Sequence, residues 1–144
     1  MTDPAVEILL VEDNPNDVKL ALHAFKSNNL ANHVRVVRDG AEALELIFGT
    51  DRYDKCPCHP KVILLDLKLP YVDGIEVLHR LKADERTRQI PIVVLTSSRE
   101  EPDIQKCYQL GVNSYIVKPV DFDQFTKAVR EVGMYWLLLN QRPQ

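Results

Sequence analysis

The chain has 144 residues, of which 45% are hydrophobic and 27% are charged, and its formal net charge is −3. A chain of this length predicts a single domain with one substantial core. The balance of 18 basic and 21 acidic residues excludes the strongly basic surface of a nucleic-acid-binding domain. We find no signal segment and no apolar run of about 18 residues, and therefore expect a cytoplasmic protein without a membrane span. The cysteines (Cys56, Cys58 and Cys107) are interpreted as reduced thiols.

Five short apolar runs, most of them rich in β-branched residues, predict five strands. Nearly continuous runs of this kind are typical of strands that are buried on both faces of a parallel sheet. The predicted strands cover residues 6–11, 34–37, 62–65, 92–95 and 112–117.

Each predicted strand is followed by a segment with the apolar periodicity of a helix. We expect Gly111 to end the fourth helix and Asp121 to cap the start of the fifth. Strands that alternate with amphipathic helices predict an α/β domain with helices on both faces of a parallel sheet. The apolar positions that define the five helices are Val18, Leu22 and Phe25; Ala43, Leu44 and Ile47; Ile75, Leu78 and Leu81; Ile104, Cys107 and Leu110; and Phe122, Phe125, Val129, Val132 and Trp136.

Charged and hydroxyl side chains follow four of the predicted strands. Glu12 and Asp13 end the first strand, Asp66 the third, Thr96 the fourth and Lys118 the fifth. Because the carboxyl ends of parallel strands lie at one edge of a sheet, we expect these side chains to converge. Three neighbouring carboxylates repel each other, and Mg²⁺ prefers such oxygen ligands. A carboxylate beside Mg²⁺, a lysine and a hydroxyl can attack a phosphorus centre, because the cations neutralise the transferring oxygens.

Simpler interpretations remain open for single members of this set. Glu12 and Asp13 also suit a solvated loop, Lys118 also suits the protein surface, and the two Asp-Gly pairs at 39–40 and 73–74 are typical of turns. A charge at Asp66, directly after an apolar run, is costly unless it is exposed or paired. The joint pattern at four strand ends therefore favours a functional site.

Five short motifs carry a family resemblance that extends from Val6 to about Val132. As a set they resemble the receiver domain of two-component response regulators. The resemblance implies a flavodoxin-like (βα)5 doubly wound fold, with a five-stranded parallel sheet of order 2-1-3-4-5. The motifs are Leu9-Leu10-Val11-Glu12-Asp13-Asn14, Leu64-Leu65-Asp66-Leu67-Lys68-Leu69-Pro70, Asp73-Gly74, Leu95-Thr96-Ser97-Ser98 and Tyr115-Ile116-Val117-Lys118-Pro119.

The resemblance assigns roles to the residues at the predicted site. Asp66 is implied to be the phosphoryl acceptor, with a sensor histidine kinase or a phosphotransfer protein as its partner. A Mg²⁺ or Mn²⁺ ion is implied to be held by Asp13, Asp66 and the backbone carbonyl of Lys68, with Glu12 acting through a bound water.

Three further residues are implied to respond to the phosphoryl group. Lys118 pairs with the acceptor or with its phosphoryl group, and Thr96 bonds a phosphoryl oxygen. Tyr115 is the switch aromatic that turns inward when Thr96 moves. The Lys118-Pro119 peptide is commonly cis in the family, which aims the lysine at the site.

The sequence departs from a compact receiver in three places. The loop Asp51–Pro60 lengthens the stretch before the acceptor, and Lys68 places a cation beside the site. We also expect an apolar helix extension and tail at about 133–144, without an output domain. A tail folded on its own domain is one alternative for its apolar side chains, and a partner or a homodimer surface is the favoured one. Those side chains are Met134, Tyr135, Trp136, Leu137 and Leu138.

The long loop and the apolar tail resemble the single-domain regulators that partner bacterial phytochrome kinases. The expected function is a phosphorylation-dependent interaction with an unidentified target protein, and the alternative is a phosphate shuttle in a phosphorelay. An aspartyl-phosphate phosphatase is disfavoured, because Lys68 stands where those enzymes carry a second aspartate. Nucleotide binding is disfavoured by the absence of a glycine-rich phosphate loop. Structural zinc at 56–59 is disfavoured by the absence of a second pair of ligands.

Overall fold

The computed structural model describes residues 7–28, 34–49, 59–118, 121, 123–124, 126–127 and 130–131. Several sequence-based predictions lie outside these ranges and remain predictions. They concern the cis peptide at Pro119, most of the loop Asp51–Pro60, all five apolar positions of the fifth helix, and the predicted tail surface of Met134, Tyr135, Trp136, Leu137 and Leu138.

Five parallel strands form one sheet with the order β2-β1-β3-β4-β5. This arrangement confirms the predicted strand order. The apolar runs form these strands because the central ones are covered on both faces, so that β1, β3 and β4 contain only buried residues. The strands are β1 (Ile8–Val11), β2 (Val34–Val37), β3 (Val62–Leu65), β4 (Ile92–Thr96) and β5 (Ser114–Val117).

Four complete helices connect the strands: α1 (Pro15–Ser27), α2 (Gly40–Phe48), α3 (Gly74–Ala83) and α4 (Glu101–Gln109). Residues 123–124, 126–127 and 130–131 are also helical, where the fifth helix was predicted. Asp121 accepts a hydrogen bond from the Gln124 N–H over 2.8 Å, as expected for its N-cap. No helix in the described part of the chain is long and apolar enough to cross a membrane.

The two Asp-Gly pairs start helices rather than forming isolated turns. Asp39 caps α2 and Asp73 caps α3, each through a backbone N–H three residues ahead. The glycine that follows each cap is buried where two backbones meet. A Cβ on Gly74 would overlap the carbonyl oxygen of Asp66, so this glycine allows α3 to start directly against the backbone that follows β3.

The core consists of two layers, one on each face of the sheet. One layer packs α2, α3 and α4 against the side chains of alternate strand residues, and it includes Cys107 of α4, which is fully buried. The other packs Ala21, Ala24 and Phe25 of α1 against the opposite face. Gly111, with a φ of 97°, follows the end of α4 as predicted.

Three strand boundaries differ from the predictions. β1 begins at Ile8, because Glu7 lies outside the strand, and β4 extends by one residue to Thr96. The run from Val112 was expected to be strand throughout, but β5 begins at Ser114. The Asn113 side chain accepts the N–H of Ile92, and the Asn113 N–H donates to the Ile92 carbonyl. This side-chain hydrogen bond replaces a regular ladder contact and delays the start of the strand.

Candidate functional site

The carboxyl ends of β1, β3, β4 and β5 bring the predicted polar residues to one edge of the sheet. Glu12, Asp66, Thr96 and Lys118 are all buried there, whereas Asp13 is exposed. Charged groups this deeply buried require partners, since isolated charges are strongly disfavoured away from water. These buried groups are partners of one another, because the parallel register places the ends of the strands side by side.

Three carboxylates at this edge are arranged as cation ligands. One carboxylate oxygen each of Glu12, Asp13 and Asp66 can be chosen so that all three lie within 4.8 Å of one another. Hard divalent cations favour clusters of carboxylate oxygens with room for water, and the exposed position of Asp13 leaves the cluster open to solvent. The residues present therefore fit a divalent cation.

Lys118 is the cation that lies within this acidic cluster. Its Nζ donates to Glu12 Oε1 over 2.7 Å and lies 3.3 Å from Asp66 Oδ2. The same nitrogen donates to Asp17 Oδ2 over 2.7 Å. The sequence predicted the contact with Asp66 but missed Asp17. The sequence does contain a signal for Asp17, because this acidic residue stands in the first turn of the helix that follows Glu12 and Asp13.

The two buried carboxylates differ in their preferred charge. Burial, together with the hydrogen bond to Asp66, raises the pKa of Glu12 to about 7. Burial also opposes ionisation of Asp66, but the hydrogen bond from Glu12, the charge of Lys118 and the Lys68 N–H outweigh it and lower the Asp66 pKa. Two close carboxylates share a proton in this way when one has the better donors. Asp66 is therefore the ionised member of the pair.

Hydrogen bonds also keep Lys118 charged. Burial favours the neutral amine, but the carboxylates of Asp17 and Glu12 outweigh burial and raise the lysine pKa well above its usual range. The site therefore contains an ammonium ion next to an ionised Asp66 at neutral pH.

The backbone that follows Asp66 is fixed on two sides. The Lys68 N–H donates to Asp66 Oδ1 over 3.2 Å, whereas the Lys68 side chain is exposed. The Gly74 N–H donates to the Leu67 carbonyl over 2.8 Å, which joins the start of α3 to this loop. The Asp66 side chain is therefore held by its own loop as well as by Lys118.

A second polar network follows β4. The Ser98 N–H lies 3.4 Å from Thr96 Oγ1, and the Ser98 hydroxyl donates to Asp103 Oδ2 over 2.5 Å. The Tyr115 hydroxyl donates to the Ser98 carbonyl over 3.1 Å. The structure thus connects Thr96 and Tyr115, the two residues predicted to form a switch, through Ser98. Ser98 and Asp103 were missed, although Ser98 stands in the quoted motif.

An open cavity of about 570 Å³ lies beside the acidic cluster. Asp13, a member of the cluster, and Lys68, whose N–H bonds Asp66, both line the cavity. The cavity reaches Leu67 and Lys68, the two residues that follow Asp66 in the chain, and its wall is of mixed polarity. It is lined by Asp13, Leu67, Lys68, Leu69, Pro70, Asp73, Ile75 and Asp103.

The ionised Asp66 carboxylate can act as a nucleophile toward phosphorus. Lys118 and the hydroxyl of Thr96 lie where they can compensate the charge of transferring oxygens. Phosphoryl transfer needs mainly positioning and such charge compensation. The geometry therefore suits acceptance of a phosphoryl group.

Sequence similarity places the chain in a family of known proteins. The pattern of the response regulator receiver domain matches residues 8–130. The probable methanogenesis regulatory protein FilR2 of Methanothrix harundinacea is 40% identical over 141 residues, which cover 98% of this chain and 89% of FilR2.

Three solved structures are similar over nearly the whole chain. The phosphorylated cyanobacterial phytochrome response regulator RcpA is 38% identical, with a TM-score of 0.87 and coverage of 98% of this chain and 100% of RcpA. The Mn²⁺-bound response regulator Rcp1, a protein of Synechocystis, is 35% identical, with a TM-score of 0.85 and the same coverage. The bacteriophytochrome response regulator AtBRR is 52% identical, with a TM-score of 0.74, and covers 96% of this chain and 100% of AtBRR.

Proposed function

Because this chain belongs to the response regulator receiver domain family, we propose that Asp66 accepts a phosphoryl group from the phosphohistidine of a sensor histidine kinase. The observation that carries this proposal is the 3.3 Å contact between the buried Asp66 carboxylate and Lys118 Nζ, at an edge of the sheet with an open cavity beside it.

The proposed transfer is a single displacement at phosphorus. An oxygen of the Asp66 carboxylate donates an electron pair to phosphorus, so that an O–P bond forms and the P–N bond of the phosphohistidine breaks. The imidazole nitrogen takes the electron pair of the broken bond and accepts a proton from solvent. Lys118 and Thr96 donate hydrogen bonds to the transferring oxygens, whose charge grows during the transfer.

We assign the cation-binding role to Glu12, Asp13 and Asp66, with the Lys68 backbone carbonyl as a further ligand. The support is the clustering of the three carboxylates, in a fold shared with the Mn²⁺-bound Rcp1. When bound, Mg²⁺ or Mn²⁺ supplies positive charge that offsets the negative charge of the phosphoryl oxygens. Glu12 and Asp13 accordingly bind and orient, and Asp66 alone reacts.

The intact mass of the protein after incubation with acetyl phosphate tests this assignment. We expect the wild-type protein to gain one phosphoryl group in the presence of Mg²⁺ and to lose the gain in EDTA. The Asp66→Asn variant is expected to gain none. Asp84→Asn removes a carboxylate at the opposite edge of the sheet and serves as the matched control, which is expected to react as wild type. An adduct that persists in Asp66→Asn would contradict the proposal.

We infer that the donor is a phytochrome-type histidine kinase. The support is the similarity to Rcp1, RcpA and AtBRR, of which RcpA and AtBRR are named as phytochrome or bacteriophytochrome regulators. Phosphotransfer from a purified bacteriophytochrome kinase should be at least tenfold faster than from an unrelated kinase at equal concentration. Equal rates from both kinases would contradict a phytochrome partner.

We further propose that the phosphorylated protein acts in the cytoplasm by binding a target protein rather than by catalysing a reaction on a free substrate. The support is the hydrogen-bonded path from Thr96 through Ser98 to Tyr115, which connects the acceptor edge to the region of α4 and β5. A charge added at Asp66 can bias such a network between two arrangements. The aspartyl phosphate is expected to hydrolyse slowly by itself.

We also propose that the protein forms a homodimer, with the C-terminal tail as the interface. The proposal rests on the apolar side chains that follow the predicted fifth helix in the sequence, which are Met134, Tyr135, Trp136, Leu137 and Leu138. Light scattering coupled to size exclusion should give twice the monomer mass at micromolar concentration, and a Leu138→Asp variant should give the monomer mass. A monomeric wild-type protein would contradict the dimer.

A further inference from the structure

Asp17 belongs to the charged cluster although it stands on a helix rather than at a strand end. It lies in the first turn of α1, with 32% of its side chain exposed. Its Oδ2 accepts a hydrogen bond from Lys118 Nζ over 2.7 Å, whereas the same nitrogen is 3.3 Å from Asp66 Oδ2. The phosphoryl transfer proposed above involves Lys118 and Asp66 but assigns no role to Asp17.

The three N–H donors of the Lys118 ammonium face three different carboxylates. The contacts to Glu12 and Asp17 are short, and the contact to Asp66 is the longest. An ammonium has one donor for each of these acceptors. A shorter contact to one carboxylate therefore draws the nitrogen away from another.

The start of α1 sets the position of the Asp17 backbone. The Asn14 side chain caps α1 by accepting the N–H groups of Asn16 and Asp17 over 2.9 and 3.2 Å. This cap fixes the first turn of the helix and, with it, the backbone of Asp17. Asp17 thus provides an anion at the start of α1, on a different element from the one that carries Asp66.

We propose that Asp17 is a positioning residue that holds the Lys118 ammonium back from Asp66 and thereby limits the rate of phosphoryl uptake. The inference rests on the proposed function, since it concerns the same transfer to Asp66. When the charge of Asp17 is removed, the ammonium is free to move toward Asp66 and the transferring oxygens. Its stabilisation of the transition state then increases.

The rate of uptake from acetyl phosphate tests the proposal at saturating Mg²⁺. We expect Asp17→Asn to raise the second-order rate constant about threefold to tenfold, a range that couplings between neighbouring charges produce. Asp17→Glu keeps the charge and should return the rate toward that of the wild type. Glu101→Gln removes a first-turn carboxylate from α4 instead, so it controls for the loss of an acidic group at a helix start.

A double-mutant cycle separates positioning from general effects of charge. In a Lys118→Met background, Asp17→Asn should no longer change the rate, because the group that Asp17 positions is gone. An effect that persists in this background would show that Asp17 acts by repelling the anionic donor or by loosening α1. That result would overturn the positioning role.

The ¹⁵N signal of the Lys118 ammonium gives a readout that needs no phosphoryl donor. The signal is assigned by its absence in Lys118→Met, and it should shift in Asp17→Asn but not in Glu101→Gln. An unshifted signal, or an uptake rate that is unchanged or lower in Asp17→Asn, overturns the proposal. If the wild-type protein accepts no phosphoryl group, the proposed function fails, while this signal still decides whether Asp17 holds Lys118.

Discussion

Two partly or fully buried lysines stand at opposite edges of the sheet and are held in different ways. Lys118, at the carboxyl edge, donates to three carboxylates. Lys82, on α3 near the amino end of β4, donates to the backbone carbonyls of Arg88 and Ile90 over 3.0 and 3.2 Å. Within the described part of the chain, no carboxylate lies at ion-pair distance from Lys82.

Because the partners differ, the pKa values of the two amines shift in opposite directions. Burial lowers the pKa of Lys82, because carbonyl dipoles offset only part of the lost hydration. The Lys118 pKa is raised despite burial, because full negative charges surround the ammonium. Lys82 therefore serves to close the loop before β4, whereas Lys118 holds an acidic cluster together. The charges of the neighbouring groups, more than burial, decide the direction in which each lysine pKa shifts.

Replacing Lys118 should have the largest effect on stability. Lys118→Met leaves three carboxylates without their cation, and breaking a buried ion pair in this way should lower the free energy of unfolding by about 3 kcal/mol in EDTA. Urea denaturation measures the loss. Mg²⁺ should restore part of the stability, since a divalent cation supplies the missing charge. A loss that is the same with and without Mg²⁺ would argue against an acidic cation site.

The response of the wild-type protein to Mg²⁺ should be the next largest effect. At a Mg²⁺ concentration ten times the dissociation constant, binding should stabilise the folded protein by about 1.4 kcal/mol. Asp13→Asn removes the exposed ligand and should abolish most of this gain, while Asp84→Asn should keep it. Thermal unfolding with and without Mg²⁺ gives both values. Equal stabilisation of the wild type and Asp13→Asn would remove Asp13 from the site.

Replacing Lys82 should cost less than replacing Lys118. Lys82→Met loses two hydrogen bonds to carbonyls, and water can replace part of them, so we expect a loss of about 1 kcal/mol. The loss should not depend on Mg²⁺, because the residue lies at the other edge of the sheet. Urea denaturation in EDTA and in Mg²⁺ compares the two lysines directly. A loss larger than that of Lys118→Met would reverse their assigned roles.

The smallest expected effect concerns an exposed ion pair near Lys82. A hydrogen bond from Arg86 lowers the pKa of Asp84 to about 2, below its ordinary value of 3.8. The pair therefore stabilises the fold above about pH 4, and this contribution is lost as the pH falls through about 2. Asp84→Asn keeps the acceptor oxygen but loses the charge. Its urea midpoint should lie slightly below that of the wild type at pH 6 and approach it at pH 3, and a constant difference would contradict the pair.

The strand-end residues could be predicted from the sequence because their positions follow from topology alone. The apolar runs fix where each strand ends, and a parallel sheet brings those ends to one edge. Glu12, Asp66 and Lys118 therefore meet as expected. The three-dimensional fold and its strand order likewise follow from the alternation of strands and helices together with the family motifs.

Contacts that depend on helix rotation or loop conformation could not be predicted in the same way. Asp17 reaches Lys118 only because α1 starts at one particular angle to the sheet, and Ser98 meets Asp103 across a loop. Tyr71 has a φ of 68°, a conformation that a sequence reader expects of glycine or asparagine. The Val72 N–H donates to the Pro70 carbonyl over 2.8 Å and closes a γ-turn around Tyr71, which the residue types in this loop do not predict.

The complete burial of Cys107 has a consequence for oxidation chemistry. Burial, together with the nearby Asp103 charge, raises the pKa of this thiol to about 11. This thiol is therefore protonated at pH 7, whereas the thiolate is the form that attacks peroxides and disulfides. Oxidants consequently reach this position only when α4 separates from the sheet. The packing of α4 against the sheet thus protects this thiol from peroxides and from disulfide exchange.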